Sequence, residues 1–387
     1  MRVVELGRAL GLTGIQAAMS PTKVELIVGA IPDQRVYSLR VQPAPVGLDG
    51  IGRLDRLAAE VVDGRVTAAQ ATVRVEGISA KPLERPSWLI VAAYGLAGSA
   101  LAAVLGGGWR ESAGAALVGL LVGIVVRLGV LGNRSDVVVV PLAALTAAIA
   151  AAAIAQLGLA ASVDRVTLAS LVVLLPGMTL TIGMRELATN QLQSGLANAA
   201  SAFVTLLGLV FGVAAGTSIA DHWFGAASQV PLHPFPHGIE LAAAIVSGLA
   251  FTVTLRAPVR DMPWICAAAL TAVGVDLVAS EIFGSVAGVF AAAVVVGLAG
   301  NAFVRLLRRS ALIFIVPGVL LLVPGSAGFE STAQLLEGET TSGVDAGFGI
   351  FMTALAIVYG LVVSTLVAPL RDRGKRHGGG DVGAASD

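Results

Sequence analysis

Residues Ala311–Ser326 read ALIFIVPGVLLLVPGS, a segment apolar enough to enter a lipid bilayer that nonetheless carries two Pro-Gly pairs. Residues Leu171–Met184, LVVLLPGMTLTIGM, have the same character, with one Pro-Gly pair at their centre. A proline inside a helix removes one backbone donor and frees the carbonyl four residues earlier. In lipid no water can bond that carbonyl, so a broken helix persists only where it faces protein or a wet cavity. These segments therefore predict interrupted membrane helices that face the interior of a membrane protein.

The composition supports the same class. The chain has 387 residues, of which 56% are hydrophobic and 13% are charged, and its mean hydropathy is +0.85. Such values indicate a polytopic protein of the lipid bilayer. The formal net charge of zero gives no indication of a nucleic-acid partner, and Cys266 alone makes neither an intramolecular disulfide nor a multi-thiolate metal site. Met1–Leu12 carries charges and no long apolar core, so we expect no cleavable signal peptide there.

Charged residues and turn signals concentrate in residues 1–86, which we interpret as a small cytosolic α+β domain and call the head. Alternation of apolar residues in Lys23–Gly29 and Arg35–Val41 predicts a β-hairpin with one buried face. Helical spacing predicts one helix over Gly50–Gly64 and another over Thr67–Gly77. The head contains no His or Cys, which favours a folded cap over an enzyme and leaves a regulatory ligand site as the alternative.

Beyond the head, apolar runs alternate with short polar connections. Since a bilayer core needs about 20 helical residues per crossing, we predict ten spans: 88–106, 113–130, 136–157, 165–184, 195–216, 238–256, 262–280, 284–304, 310–326 and 346–369. Fourteen Lys and Arg residues then lie near the span ends on the side of the head, and only Arg110 and Arg165 lie on the other side. The positive-inside rule therefore predicts a multi-pass protein of the cytoplasmic membrane with both termini in the cytoplasm.

The ten spans divide into two similar halves. Pro176 and Pro317 lie 141 residues apart, each in the fourth span of a five-span half, and Gln193–Phe203 has a counterpart in Thr341–Phe351. Five is an odd number, so the halves cross the membrane in opposite senses, as in many secondary transporters. The predicted fold is mainly α, with two inverted five-helix repeats and the α+β head. The predicted boundaries are 1–86 for the head, 87–219 and 238–370 for the repeats, 220–237 for an external connection and 371–387 for a disordered cytosolic tail.

In inverted-repeat transporters, broken helices at matching positions form the substrate site near the midplane. A half-helix that begins at Pro317 would offer free N–H groups to a carboxylate, and carbonyls around 313–315 would suit an ammonium group. The alternative is a simple proline kink. The candidate substrate-binding residues are Pro176, Gly177, Thr179, Thr181, Pro317, Gly318, Pro324, Gly325 and Ser326.

Two further sets of polar residues have alternative interpretations. Asp276 lies about 12 residues into its span, or about 18 Å along the helix, and either couples protons or contacts a substrate amine, or takes part in structural pairing. His222, His233 and His237 share the external connection, and the last two have a spacing that a metal would accept. Two prolines intervene, so an ordered aromatic loop is favoured and no metal or other cofactor is expected.

Several motifs resemble the threonine/serine exporter (ThrE) family. They are SPTKVELIV at 20–28, the segment at 35–64, LLPGMTLTIGMRELATNQLQSGLANA at 174–199 and the segment at 311–351, and the likeness covers roughly residues 1–370. The resemblance implies export of L-threonine and L-serine across the cytoplasmic membrane, energised by proton antiport. The residues by themselves support a secondary transporter of a small zwitterion, and no Walker motif indicates ATP drive.

Other classes of function have less support. An intramembrane aspartyl protease needs two facing carboxylates, whereas Asp276 is the only acid clearly at membrane depth and Asp345 lies near a boundary. We therefore expect no enzymatic activity. A passive channel, or a membrane anchor for the head, remains as a further alternative. Faces rich in Ala and Gly are consistent with a homodimer without specifying one.

Overall fold

In the computed structural model the chain is predominantly helical. The described residues are 2–20, 23–29, 32–40, 47–80, 83–158, 162–188, 191–225, 235–236, 238–307, 309–322 and 340–367. The prediction of a polytopic, mainly helical membrane protein agrees with this structure.

The head begins with a short helix and a three-stranded antiparallel sheet and continues with two helices. In chain order these are α1 (Arg2–Ala9), β1 (Gln16–Ser20), β2 (Lys23–Val28), β3 (Arg35–Arg40), α2 (Leu48–Val62) and α3 (Ala68–Ala80). The sheet order is β1-β2-β3, and Leu26 in the central strand lies opposite Ala17 on one side and Tyr37 on the other. The predicted hairpin and both predicted helices are confirmed, whereas sequence analysis missed α1 and β1.

The apolar face of the hairpin is less covered than its alternation predicts. Tyr37 is 52% exposed and Leu39 is 67% exposed, so the expectation of a buried face is wrong for β3. The reason is that α2 buries its apolar side elsewhere in the head, where Leu57 and Val61 pack with Val66 of the connection to α3, against Leu6 of α1 and Ile78 of α3. Gly64 follows α2 with a φ of +72°, a left-handed conformation that favours glycine and ends the helix.

The rest of the chain forms eleven described helices. They are α4 (Ser87–Val104), α5 (Trp109–Leu131), α6 (Asp136–Gln156), α7 (Val163–Ser170), α8 (Gly177–Ala188), α9 (Leu192–Phe224), α10 (Ile239–Thr254), α11 (Met262–Phe283), α12 (Ser285–Leu307), α13 (Leu312–Leu322) and α14 (Thr340–Val367). Among these described residues, seven helices are long and apolar enough to cross a membrane, namely α4, α5, α6, α9, α11, α12 and α14.

The other three predicted spans have a different form. Helices α7 and α8 together make one apolar segment that is bent by 48° at its break. Helix α10 has 16 residues and α13 has 11, which correspond to about 24 Å and about 17 Å at 1.5 Å per residue. Helix α10 is therefore shorter than a hydrocarbon core of about 30 Å, whereas α13 is followed directly by residues 323–339, which lie outside the described ranges. Within the described residues there are thus seven helices of full span length, or eight spans if the bent pair is counted as one, so the prediction of ten spans is not confirmed.

The two halves use the same pairs of neighbours. In the first half, α4 contacts α5, α5 contacts α6, and α6 contacts α9; in the second half, α10 contacts α11, α11 contacts α12, and α12 contacts α14. The fourth position behaves alike as well, because α7 contacts α4, α5 and α6 while α13 contacts α10, α11 and α12. Helices at corresponding places in the two halves of the chain therefore contact corresponding neighbours.

Glycines allow the helices to approach closely. Gly208, Gly212 and Gly216 follow one another on α9, and a Cβ on Gly212 would meet the carbonyl oxygen of Pro141 on α6. In the second half, a Cβ on Gly360 would lie 2.8 Å from the carbonyl oxygen of Phe290 on α12. Such contacts between backbones are how membrane helices associate in the absence of a hydrophobic driving force.

Candidate functional site

The first Pro-Gly pair interrupts the chain between α7 and α8. A 3-10 turn, Val172–Leu174, follows α7, Leu175 is extended (φ −63°, ψ 127°), and α8 begins at Gly177 directly after Pro176. An extended residue before proline is the conformation that the pyrrolidine ring imposes. The first backbone N–H groups of α8 therefore have no acceptor within their own helix. The predicted break in the fourth span is present.

A buried hydroxyl without a partner lies one turn into α8. Thr181 is 5% exposed, and its Oγ1 is one of three buried side-chain atoms without a hydrogen-bond partner among the described residues. Thr179, on the same first turns, is partly buried. Buried polar groups are nearly always hydrogen-bonded, so this hydroxyl keeps the capacity for a further hydrogen bond. It supports the choice of Thr181 as a candidate substrate contact.

The second Pro-Gly pair behaves differently. Helix α13 continues through Pro317, so the prediction that Pro317 begins a separate half-helix is wrong. Gly318 instead permits close packing, since a Cβ there would lie 2.8 Å from Val296 on α12 and 3.3 Å from the carbonyl oxygen of Ala268 on α11. Close packing of Gly318 on α11 and α12 favours a helix that continues through the proline. The remaining candidates, Pro324, Gly325 and Ser326, lie outside the described residues.

The two Pro-Gly segments are nevertheless neighbours. Helix α8 contacts α13, and Met178, which follows Gly177, packs against an apolar cluster that includes Ile313 and Val316. Helix α8 also contacts α14, where Met184 packs with Ala354 and Val358. The start of α8 therefore faces the second half of the protein, as a site between the halves requires.

Asp276 lies at the interface of α11 and α12. It is half-buried, and Ser280 Oγ donates a hydrogen bond of 3.0 Å to its Oδ1. Gly288 on α12 leaves room for this pair, because a Cβ there would lie 2.9 Å from Asp276 Oδ1. The neighbour of Gly318 on α11 is Ala268, and Asp276 lies eight residues or about 12 Å further along that helix. Asp276 thus has a local partner and lies at a different level from the Pro-Gly segments.

Polar contacts join the helix ends near the head, and sequence analysis did not predict either pair. Asn198 Nδ2 on α9 donates a hydrogen bond of 2.7 Å to Glu186 Oε2 on α8. Asp261, which is 3% exposed, accepts a bond of 2.5 Å from Arg309 Nη1. Both acids come just outside the predicted apolar runs. The sequence signal for these contacts was an acidic residue within a few positions of an arginine-containing connection. Acidic residues in such places are usually exposed to solvent, so the signal did not indicate a buried contact.

The external histidines do not form a described metal site. His222 is exposed at the end of α9, and His233 and His237 lie outside the described residues. Within the described ranges, no group of three His, Cys, Asp or Glu side chains is arranged to hold a metal ion.

A groove of about 290 Å³ lies between α2 and α3 of the head. Two of its arginines are already engaged: Arg53 pairs with Asp49 at 2.7 Å, and Arg74 pairs with Glu60 at 2.8 Å. Its charge is therefore largely compensated within the head, and the groove is not a strong candidate for a charged substrate.

Comparison with known proteins decides the family. The family model described as "Putative threonine/serine exporter" matches residues 2–220, which is more than half of the chain. The chain belongs to the threonine/serine exporter family. A second model, described as "Threonine/Serine exporter, ThrE", matches residues 240–367. The two matched segments of this exporter-family chain meet near 220–237, where sequence analysis predicted the connection between the halves.

Relatives agree with this family assignment. The chain is 29% identical over 352 residues to the "Probable threonine/serine exporter" of Mycobacterium tuberculosis, covering 86% of this chain and 64% of that protein. It is 25% identical to the "Threonine/serine exporter" of Corynebacterium glutamicum, covering 82% and 67%, and 23% identical to the "Pheromone-regulated membrane protein 10" of Zygosaccharomyces rouxii, covering 80% and 34%. The chain thus spans less than two thirds of the mycobacterial relative. No solved structure matches it.

Proposed function

We propose that this protein is a secondary active exporter of small hydroxylated amino acids, L-threonine and L-serine, across the cytoplasmic membrane. It exchanges the amino acid for protons and works by alternating access around the α7–α8 break and α13. Membership of the exporter family supports the substrate class. The observation that carries the mechanism is the interruption at Pro176, where a helix N-terminus and the orphaned hydroxyl of Thr181 lie beside the second half of the chain.

The chemistry of this region suits a zwitterion with a hydroxyl group. The free N–H groups and positive dipole end of α8 would bind the carboxylate. The hydroxyl of Thr181 would bond the side-chain hydroxyl of threonine or serine. Pro317 has no N–H to give to the carbonyl of Ile313, four residues earlier on α13, and that free carbonyl would accept a bond from the ammonium group. Pro324, Gly325 and Ser326 remain candidates for further contacts.

Asp276 is the proposed proton carrier. A carboxylate within an apolar helix is costly unless it has a function or a partner. Its bond from Ser280 satisfies one lone pair, which leaves the carboxylate capacity to accept a proton. Binding of a proton would neutralise the charge and favour one orientation of α11 against α12. Glycine at position 288, with no side chain to obstruct the pair, suits such a rearrangement.

The matching helix neighbours in the two halves support alternating access. Two structurally similar halves that cross the membrane in opposite senses can exchange conformations, so that the site opens first to one side and then to the other. With the head in the cytoplasm, as the distribution of Lys and Arg indicates, substrate enters from the side of the head and protons enter from the opposite side.

Reconstituted protein tests the proposal. Proteoliposomes with an imposed proton gradient should accumulate labelled L-threonine and L-serine in a saturable manner. Asp276→Asn should lower gradient-driven accumulation by about tenfold or more while leaving threonine–threonine counterflow intact. Glu281→Gln is the matched control, because Glu281 is an exposed acid on the same helix. Full accumulation by Asp276→Asn would rule out its coupling role.

The same vesicles separate the alternative functions. If the vesicles show counterflow of a different small zwitterion and neither threonine nor serine competes with it, the protein is a transporter but its substrate is not threonine or serine. Flux that does not saturate and shows no counterflow would indicate a passive channel. Cleavage of a transmembrane reporter peptide would indicate an intramembrane enzyme.

A further inference from the structure

The first residue of α2 in the head is buried in the membrane part of the protein. Leu48 is 1% exposed. Its backbone N–H donates a bond of 2.9 Å to the carbonyl of Leu255, and the N–H of Asp49 donates one of 3.3 Å to the carbonyl of Arg256. Both acceptors lie just after α10. The first N–H groups of a helix normally bond a capping side chain or water, so here the membrane part caps a helix of the head.

The side chain of Leu48 fills the gap where several helix ends meet. It belongs to one apolar cluster with residues of α10, α11, α12 and α13, and Met178 of α8 packs against the same cluster. The other buried members are Phe251, Ala257, Ile265, Phe303, Ile313 and Val316. Leu48 is the contribution of the head to this cluster, and it comes from outside both halves of the membrane part.

A polar rim surrounds this contact. Asp49 pairs with Arg53 on α2, and Asp261 pairs with Arg309 beside the start of α13. Between these pairs lies a pocket of only about 40 Å³, lined by Leu48, Asp49 and Ser310 among others. A pocket of that size holds a water molecule or two and is too small for an amino acid. In this conformation the first turn of α2 lies against the start of α13 and leaves no space for an amino acid between them.

We propose that Leu48 is a plug by which the head closes the opening between α8 and α13. The inference rests on the proposed function in one respect: Met178 lies between Gly177 and Thr179, which are candidate substrate residues. Withdrawal of Leu48, together with the first turn of α2, opens the route from the side of the head to the start of α8. The head is then part of the transport cycle, as a gate, rather than a separate soluble domain.

Thiol labelling of the full chain tests the plug. Cys266→Ala removes the single native thiol, and Met178→Cys then places a reporter beside the cluster. The protein is reconstituted in lipid nanodiscs, which expose both faces, and the rate of reaction with a water-soluble maleimide is measured. In this background Leu48→Ala should react at least about tenfold faster than the parent, since a truncated core leucine leaves a cavity and lowers the cost of local opening. Leu48→Met, which conserves volume, should react at the parental rate.

Leu57→Ala provides the matched control. Leu57 is a buried leucine on the same helix, but it packs within the head against Val61 and Val66. Leu57→Ala destabilises the head but leaves the side chain of Leu48 in its cluster. The labelling rate at position 178 should therefore stay within about twofold of the parental rate. If Leu48→Ala does not yield folded protein, Leu48→Val replaces it, with a smaller increase expected. Equal labelling rates for Leu48→Ala and Leu57→Ala would overturn the proposal that Leu48 is a plug, provided that both variants label fully after denaturation.

Threonine counterflow on the same variants keeps the two proposals separate. If the parent exchanges threonine and the Leu48 variants show no faster labelling, the plug fails and the exporter stands. If no variant moves threonine but Leu48→Ala labels faster, the plug stands and the substrate assignment fails.

Discussion

The ion pair between Asp261 and Arg309 joins the start of α11 to the start of α13, and its removal should destabilise the protein measurably. Asp261 is 3% exposed, and Arg309 Nη1 lies 2.5 Å from its Oδ1. Arg260 is the only other cation recorded within reach among the described residues, at 3.9 Å with 53% of its side chain exposed. Arg309→Ala therefore leaves a buried carboxylate with one distant, solvated partner.

The size of the effect follows from this geometry. Breaking a fully buried pair by removing one partner costs about 3–5 kcal/mol, because a buried charge is left uncompensated. Arg309 is 32% exposed, and solvent together with Arg260 compensates part of the charge, so we expect about 1.5–3 kcal/mol. Asp261→Asn removes the charge itself and should cost less, about 1 kcal/mol. The double variant should show a coupling energy of about 1–2 kcal/mol.

The measurement is reversible unfolding of the purified protein in mixed detergent micelles, followed by tryptophan fluorescence, for the two single variants and the double variant. Arg260→Ala is the matched control and should cost less than about 0.5 kcal/mol, as exposed pairs do. A loss for Arg309→Ala no greater than for Arg260→Ala, or a coupling energy near zero, would refute the view that this pair holds α13 to α11.

Two further predictions concern the helices themselves. Gly212→Ala should separate α9 from α6, because the new Cβ overlaps the carbonyl oxygen of Pro141, and thermal unfolding should show a loss of about 1–3 kcal/mol. Gly274→Ala, whose Cβ would lie 3.6 Å from its nearest neighbour, should be nearly neutral, and equal losses would contradict the packing argument. Pro176→Ala should lower threonine uptake by about tenfold or more, because it allows the break to close. Pro317→Ala supplies an N–H to the carbonyl of Ile313 but closes no break, because its helix is already continuous. It should therefore lower uptake by only about threefold, and a larger loss for Pro317→Ala than for Pro176→Ala would contradict the assignment of the break to the first half.

The sequence predicted local features well. The hairpin of Lys23–Val28 and Arg35–Arg40 follows from alternation, and α2 follows from helical spacing. The break at Pro176 follows from the proline, which no neighbouring contact overrides. Each of these signals acts within a few residues, so it is visible in a single stretch of chain.

Predictions that depended on packing were less accurate. Pro317 carries the same Pro-Gly signal as Pro176, yet its helix continues, because Gly318 packs closely on α11 and α12. Tyr37 and Leu39 alternate as a buried face would, yet they are exposed. In each case the local pattern is the same for both outcomes, and the contacts of the neighbouring elements decide between them.

The sequence by itself determined that this is a helical membrane protein with a small head, an interrupted fourth span and the motifs of the threonine/serine exporter family. Hydropathy and helix breakers are sufficient for the membrane class and the interruption, since they depend on the solvent around each segment, whereas the family follows from the resemblance of the quoted motifs. Only the tertiary structure decided that Met178 faces α13, that Asp261 and Arg309, 48 residues apart, form an ion pair, and that Leu48 of the head lies among the membrane helices. Those contacts depend on how whole helices pack together, which no single segment of the chain encodes.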